Sequence, residues 1–439
     1  MCHSIIVGLL VFCVHSAEPL SLKQCVETAL VKDAQVQAAQ AALLRAEAAM
    51  AVSRAAFMPR AQLKVAYHGL SEPMAFENFT LQSNGQAMQV DQFVMSDDQM
   101  LRAEASVEVP LWTGGRRRAM REMTQSGVEG ARARSEQQRH RLITQVIVAH
   151  AQVMLAREAR RYLNDTIAEM KLFSLTAQRD FEAGARNAPE KDVLQIQYDL
   201  HDMETWLKEL DKWETLGLEA LKVAMDLPAS ETLSLAGERL DVLSLGPDGP
   251  QSRRQALEAN PEIKALTSAL SGAQWQERWA NSSRMPTLGL FAQHTYIQDD
   301  FDPNLEQWTA YGLAMGIDLF DGGMSRAKRR EAQMMQQSLE HQITAAKRQV
   351  DLGCQQALLE IEQFQQQLSL RAKAREVAMR QIEVVHQGYQ YGLATVGDVN
   401  DAQVQKRWSD ANWLFKKLDL VKAMAQLNEL VGNRVLPLY

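Results

Sequence analysis

Val109-Pro110-Leu111-Trp112-Thr113-Gly114-Gly115, followed by Arg116, Arg117 and Arg118, returns later in the chain as Ile317-Asp318-Leu319-Phe320-Asp321-Gly322-Gly323, followed by Arg326, Lys328, Arg329 and Arg330. Sixty-nine residues separate Gly115 from Gly184 in Phe181-Glu182-Ala183-Gly184, and sixty-nine separate Gly323 from Gly392 in Tyr389-Gln390-Tyr391-Gly392. Upstream, Phe57-Met58-Pro59 matches Arg284-Met285-Pro286 at a distance of 227 residues, the distance that also separates Ala29-Leu30 from Ala256-Leu257. A repeated unit this long, with a polar helical middle and short alternating runs, specifies an elongated object rather than a compact enzyme.

The 439 residues therefore read as residues 1–16, a signal peptide, then repeats 17–240 and 250–439. Ile5 to Val14 is a short apolar run, with small residues before Ala17. A buried N-terminal strand is the other reading of that run. No later stretch approaches the ~18 uninterrupted apolar residues of a membrane helix. Contact with a membrane then falls to strands. Aromatic residues are 6% of the chain, and Ala, Gln, Glu, Arg and Leu dominate the middle of each half, a coiled-coil composition. The net charge of −7 and the shortness of the basic clusters point away from nucleic acid. Outside the leader only Cys25 and Cys354 remain; free thiols are expected, with no metal spacing. No catalytic constellation, phosphate loop or cofactor motif stands out.

Periodicity places the elements. Leu20 to about Phe57 reads as one helix closed by Pro59. In 61–69, Leu63, Val65 and Tyr67 alternate with Gln62, Lys64 and His68. Residues 70–98 read as a long polar loop. From Leu101 to Val109 the alternation is clean: alanines, valines and Leu101 on one side, Arg102, Glu104, Ser106 and Glu108 on the other. That is strand, with a charged face that a soluble sandwich could also expose and the length of a tilted membrane strand. The second half repeats this more weakly from Leu288 to Ala292 and from Tyr311 to Leu319, around a loop at Asp299 to Pro303. After each Gly-Gly comes a long helix. Leu339, Ile343, Ala346, Val350, Cys354, Ala357, Ile361, Phe364 and Leu368 form a coiled-coil seam, and about 65 residues at 1.5 Å each span roughly 100 Å. Gly392 breaks the second helix and the chain returns, so an antiparallel helical hairpin follows each strand pair.

This order, in duplicate, resembles the TolC-type outer-membrane efflux channel family over residues 20–435. Its most specific markers are the two Gly-Gly junctions (Gly114, Gly115, Gly322, Gly323) and the tip Tyr391-Gly392-Leu393-Ala394-Thr395-Val396-Gly397-Asp398-Val399. The resemblance implies a mixed α+β membrane protein. Three chains would close a 12-stranded β-barrel continuous with a periplasmic α-helical tunnel, with loops 70–98 and 298–307 outside the cell. It also implies an outer-membrane exit duct of a tripartite efflux or type I secretion system. The partners implied are two more copies, a periplasmic adaptor, an inner-membrane pump and outer-membrane lipid. The competing classes are a periplasmic coiled-coil scaffold and a secreted helical adhesin.

By the same resemblance Asp398 and Asp401, with Asp192 at the matching place in the first hairpin, form carboxylate rings at the tunnel mouth. N-capping or a solvated helix face is the other reading of these residues. Tyr389 matches a tyrosine that holds the entrance closed, while the family's arginine two residues after the tip glycine is Ala394 here, with Arg186 the candidate substitute. Gly184, Gly392, Leu393 and Thr395 fit an adaptor-docking surface; a plain helix C-cap is the alternative for the glycines. The arginines after each Gly-Gly read either as a ring at lipid headgroups or as solvated turns.

Overall fold

The computed structural model describes residues 19–69, 71, 74–83, 86–96, 99–237, 239, 249–299 and 306–432. The leader lies outside these residues. In chain order the elements are α1 (Leu22–Lys32), α2 (Ala34–Ala55), β1 (Arg60–Gly69), β2 (Met74–Ser83), β3 (Gln86–Ser96), β4 (Gln99–Trp112), α3 (Arg116–Glu182) and α4 (Glu190–Ala224). There follow α5 (Gly249–Ala259), α6 (Pro261–Ser282), β5 (Thr287–Asp299), β6 (Glu306–Gly316), α7 (Met324–Gln390) and α8 (Val396–Val431). The chain divides into two compact units, one of Met1–Ala42, Arg132–Ala265 and Ile343–Tyr439, the other of Leu43–Ala131 and Leu266–Gln342.

The second unit carries a four-stranded antiparallel sheet in the order β1-β4-β5-β6. Its register gathers the sequence alternation onto one face. Leu63 pairs with Ala105, which pairs with His294; Val107 pairs with Ala292, which pairs with Tyr311; Val109 pairs with Leu290, which pairs with Leu313. Directly opposite residues share a face, so one face is predominantly apolar. The other carries Lys64 opposite Glu104 and Arg60 opposite Glu108, with Arg102 3.3 Å from Glu104. Pro110 lacks a donor and sits where the β4–β5 register shifts. Among the described residues, β1 and β6 each have one unpaired edge.

Three expectations are corrected. Residues 70–98 are not one loop: β2 and β3 pair antiparallel, with Ser83 opposite Gln86. Phe76, Phe79, Val90 and Phe93 are the strand formers in that polar stretch, and Asn84-Gly85 is a strong hairpin-turn dipeptide. The loop expected over 298–307 is strand at both ends, since β5 runs through Asp299 and β6 starts at Glu306, and residues 300–305 lie outside the described residues. The helix expected from Leu20 to Phe57 is broken at Asp33, whose carboxylate accepts the Val36 N–H at 2.8 Å. Asn260 breaks the corresponding helix in the second half: its Oδ1 accepts from Glu262 N (3.0 Å), and Pro261 opens α6.

The junctions explain the glycine pairs. Gly114 and Gly115 have φ of 60° and 87°, and Gly322 and Gly323 have 65° and 88°, a left-handed turn that side chains resist. Gly114 is also tightly packed, since a Cβ there would lie 2.4 Å from Met285 Cβ. Each turn delivers a strand into a helix of 67 residues, α3 and α7. No described helix is long and apolar enough to cross a membrane.

The first unit is helical. One core gathers Cys25, Val26, Val146, Val153, Leu221, Met225, Leu414 and Val421 from α1, α3, α4 and α8. Along the part of the α7 seam in this unit Ala346, Val350, Cys354, Ala357 and Ile361 are buried. Cys25 and Cys354 are free, buried thiols; burial pushes Cys25 up to about 11 and raises Cys354.

Candidate functional site: the interlocked hairpin tips

The first tip forms where α3 stops. Gly184 adopts φ 77° and donates to Phe181 O at 2.9 Å, and Pro189 opens α4. The second forms where α7 stops. Gly392 adopts φ 70° and donates to Tyr389 O at 3.0 Å. Thr395 then caps α8 in a reciprocal box: its hydroxyl accepts from Asp398 N, and Asp398 Oδ2 accepts from Thr395 N at 2.8 Å.

The two tips are tied to each other. Val396 N donates to Asn187 O at 2.9 Å, and Gly397 N donates to Asp192 Oδ2 at 3.0 Å. A Cβ on Gly397 would meet that carboxylate at 2.7 Å, so the absence of a side chain permits the bond. Between them Ala188, Val193, Val396, Val399 and Tyr389 are buried in one cluster with Phe173, which packs edge-on to Tyr389 at 5.3 Å. Tyr389 donates its hydroxyl to Asp180 Oδ2 at 2.5 Å. Burial, and then the Asp180 carboxylate, raise the Tyr389 phenol above its ordinary value. Asn400 bonds the buried Asp199 at 2.7 Å and Arg407 bonds Asp202 at 3.0 Å. The α4 and α8 helices are thus joined by polar contacts from the tips onward.

The predicted residues divide between roles. Asp192 is half-buried and holds the second tip. Asp398 is exposed, and the Thr395 N–H and hydroxyl hold its carboxyl below the usual range. Asp401 is exposed one turn on. Leu393 is 86% and Tyr391 80% exposed beside Gly392. Arg186 is exposed, and Ala394 packs against Gly388. The four junction glycines belong to the strand–helix turns and not to this site. Asp180 and Asn187 went unread in the sequence. An aspartate four residues before Gly184, opposite an aromatic hydroxyl three residues before Gly392, was the available signal for the first; the second acts through its backbone oxygen and leaves none.

A part-apolar antiparallel sheet, glycine turns into 67-residue helices and paired hairpin tips are features that fit the outer-membrane channel class. The fold matches the outer-membrane channel OprN with a TM-score of 0.78, covering 94% of this chain and 90% of that one at 16% identity. The profile of the family described as outer membrane efflux protein matches residues 25–205 and again 253–433. The chain belongs to that family, and its place is the outer membrane. It is 27% identical over 194 residues to the alkaline protease secretion protein AprF of Pseudomonas aeruginosa, covering 43% of this chain and 38% of that protein. It is 27% identical over 210 residues to the outer membrane protein TolC of Escherichia coli K12, covering 47% and 42%. Each alignment spans less than half of the relative's length.

Proposed function

We propose that three copies of this chain close a 12-stranded barrel continuous with a helical tunnel, a passive exit duct for efflux or type I secretion. An inner-membrane pump and a periplasmic adaptor supply the drive, residues 1–16 direct export, and residues 17–240 and 250–439 are its two structural repeats. The observation that carries this is the open four-stranded sheet with one predominantly apolar face. Leu63, Val65, Tyr67, Tyr311, Leu313 and Met315 on that face are 63–81% exposed in the single chain. Unpaired strand edges are not tolerated in lipid, so β1 of one copy pairs with β6 of the next. Twelve strands is an even number in the range of such barrels. The apolar face then meets lipid and the face with Lys64, Arg102, Glu104 and Glu108 lines the duct.

The tips form the mouth. Three copies of Asp398 and Asp401 stack carboxylate rings that favour cations, and Tyr389 on Asp180 holds α7 against α3 in the closed arrangement. Leu393, with Gly392, Gly184 and Thr395, offers the adaptor its docking surface. Planar-bilayer conductance of the D398N/D401N variant tests this. Cation preference falls at low salt, and the difference shrinks as salt screens charges beyond about 10 Å at 0.1 M. Unchanged selectivity at low salt would remove the pore role.

A further inference from the structure

We propose that the belt where strands give way to α3 and α7 binds the phosphate headgroups of anionic glycerophospholipids. The proposal rests on the chain standing in a membrane as argued above. Residues 116–121 contain four Arg and residues 324–330 contain four Arg or Lys, with no acid in either stretch. These are the first turns of α3 and α7, where the helix dipole disfavours cations. Helix stability therefore opposes their presence, and a partner outside the helix is needed to favour it.

Some arginines elsewhere are held by carboxylates, as in Arg157–Glu214, Arg253–Asp351 and Arg407–Asp202. Here Arg117, Arg121, Arg326 and Arg330 are exposed, and among the described residues no carboxylate lies within ion-pair distance of them. Two nearby acids are occupied: Glu277 accepts from Arg329, Gln333 and Gln336, and Asp321 caps α7 through Gly323 N and Ser325 N. Arg116 Nε is buried with no partner among the described residues.

Indoles lie among these cations. Arg278 sits 4.2 Å and Arg118 5.6 Å from the Trp275 ring, and Lys328 5.5 Å from Trp279. On the strand side of the same turns, apolar side chains face outward: Trp112 is 47%, Leu319 90% and Phe320 89% exposed. An apolar aromatic band followed by indoles and unpaired guanidiniums matches a bilayer interface from acyl chain to phosphate. Guanidinium accepts phosphate in a two-bond fork. Charge decides the lipid class, because the ammonium of a zwitterionic headgroup would meet the same arginines unfavourably. An acidic protein surface would match the charge but leave the apolar band uncovered.

The test reconstitutes the full chain and the R117Q/R121Q/R326Q/R330Q variant in phosphatidylcholine vesicles with and without phosphatidylglycerol. Lipids retained after mild detergent extraction are counted by native mass spectrometry. Wild type retains phosphatidylglycerol over phosphatidylcholine, and added salt weakens the preference. Each removed cation lowers it roughly fivefold, while the variant still assembles and conducts. Should the quadruple variant fail to assemble, R117Q and R330Q singly supply the same measurement. Equal retention of the two lipids by wild type, an unchanged preference in the variants, or complete displacement of the lipid by inorganic phosphate would overturn the proposal. Assembly and conductance in pure phosphatidylcholine report separately on the channel, so its failure there is distinguishable from failure of lipid selection.

Discussion

At the scale of single residues, the tips show how one side chain serves two ends. The resemblance implies a pore role for Asp398 and its position offers a cap; the structure shows the cap directly. An exposed carboxylate bonded to its own helix start still carries its charge, so capping does not compete with a role in ion selection. Leu393 has no packing duty at 86% exposure. Leu393→Asp therefore leaves folding intact and abolishes export in cells, measured as substrate retained; wild-type export would end the docking assignment. His150 shows a different constraint. Burial first, and the charge of Arg157 second, lower its pKa from 6.5 to about 4, and its Nε2 is buried without a partner. The folded state keeps the imidazole neutral while the unfolded chain protonates near 6.5. Stability is thus fully present above pH 6.5 and is lost as pH falls toward 4, by on the order of 2–3 kcal/mol. Helix melting followed by circular dichroism at pH 7 and pH 4.5 checks this, and His150→Leu flattens the dependence.

At the scale of elements, the repeated glycine turns carry most of the architecture. Gly114 and Gly115 differ in a way that a mutation separates. Both have positive φ, but only Gly114 has a neighbour, Met285, where its Cβ would go. Gly115→Ala costs about 1 kcal/mol of backbone strain. Gly114→Ala adds overpacking of about 1–3 kcal/mol, because Met285 Cβ is close to its own backbone and yields little. Thermal midpoints of the two variants rank them; equal midpoints would show that Met285 moves freely. The long helices and the strands β1 and β4 were legible because each has a strong period, while β5 and β6 alternate more weakly and β6 ends at Gly316, short of Leu319. The β2–β3 hairpin was not, since its apolar residues are diluted by Gln, Asn and Glu. Nor was the break at Asp33, because Ala-rich flanks on both sides continue the helical pattern through a single capping residue; the break at Asn260 went unread although Pro261 after it is a local helix-start signal.

At the scale of the whole molecule, a chain with a four-stranded sheet and two open edges is incomplete in lipid. Cross-linking in native membranes should capture a trimer as the largest species, and capture of monomers and dimers alone would exclude the barrel. Two arrangements at this scale concern the helical hairpins. Glu158, buried on α3, bonds Lys417 of α8 at 3.2 Å, and Arg375 of α7 pairs with Asp410 of α8. Such pairs are costly to break one partner at a time, so they hold α8 against both α3 and α7.

The sequence alone determined the long helices and the alternating strands β1 and β4, because 3.6-residue and two-residue periods are local properties of the chain. It also placed the reversals, since Gly114-Gly115, Gly322-Gly323, Gly184 and Gly392 mark positions where a side chain resists positive φ. Only the tertiary structure decided that the three alternating pairings collect their apolar residues on one face, because register is a relation between strands. It alone brought Asp192 to Gly397 and Tyr389 to Asp180, 205 and 209 residues apart. A hydrogen bond across such a distance depends on how α4 meets α8 and α3 meets α7, and no period within a single helix encodes that meeting.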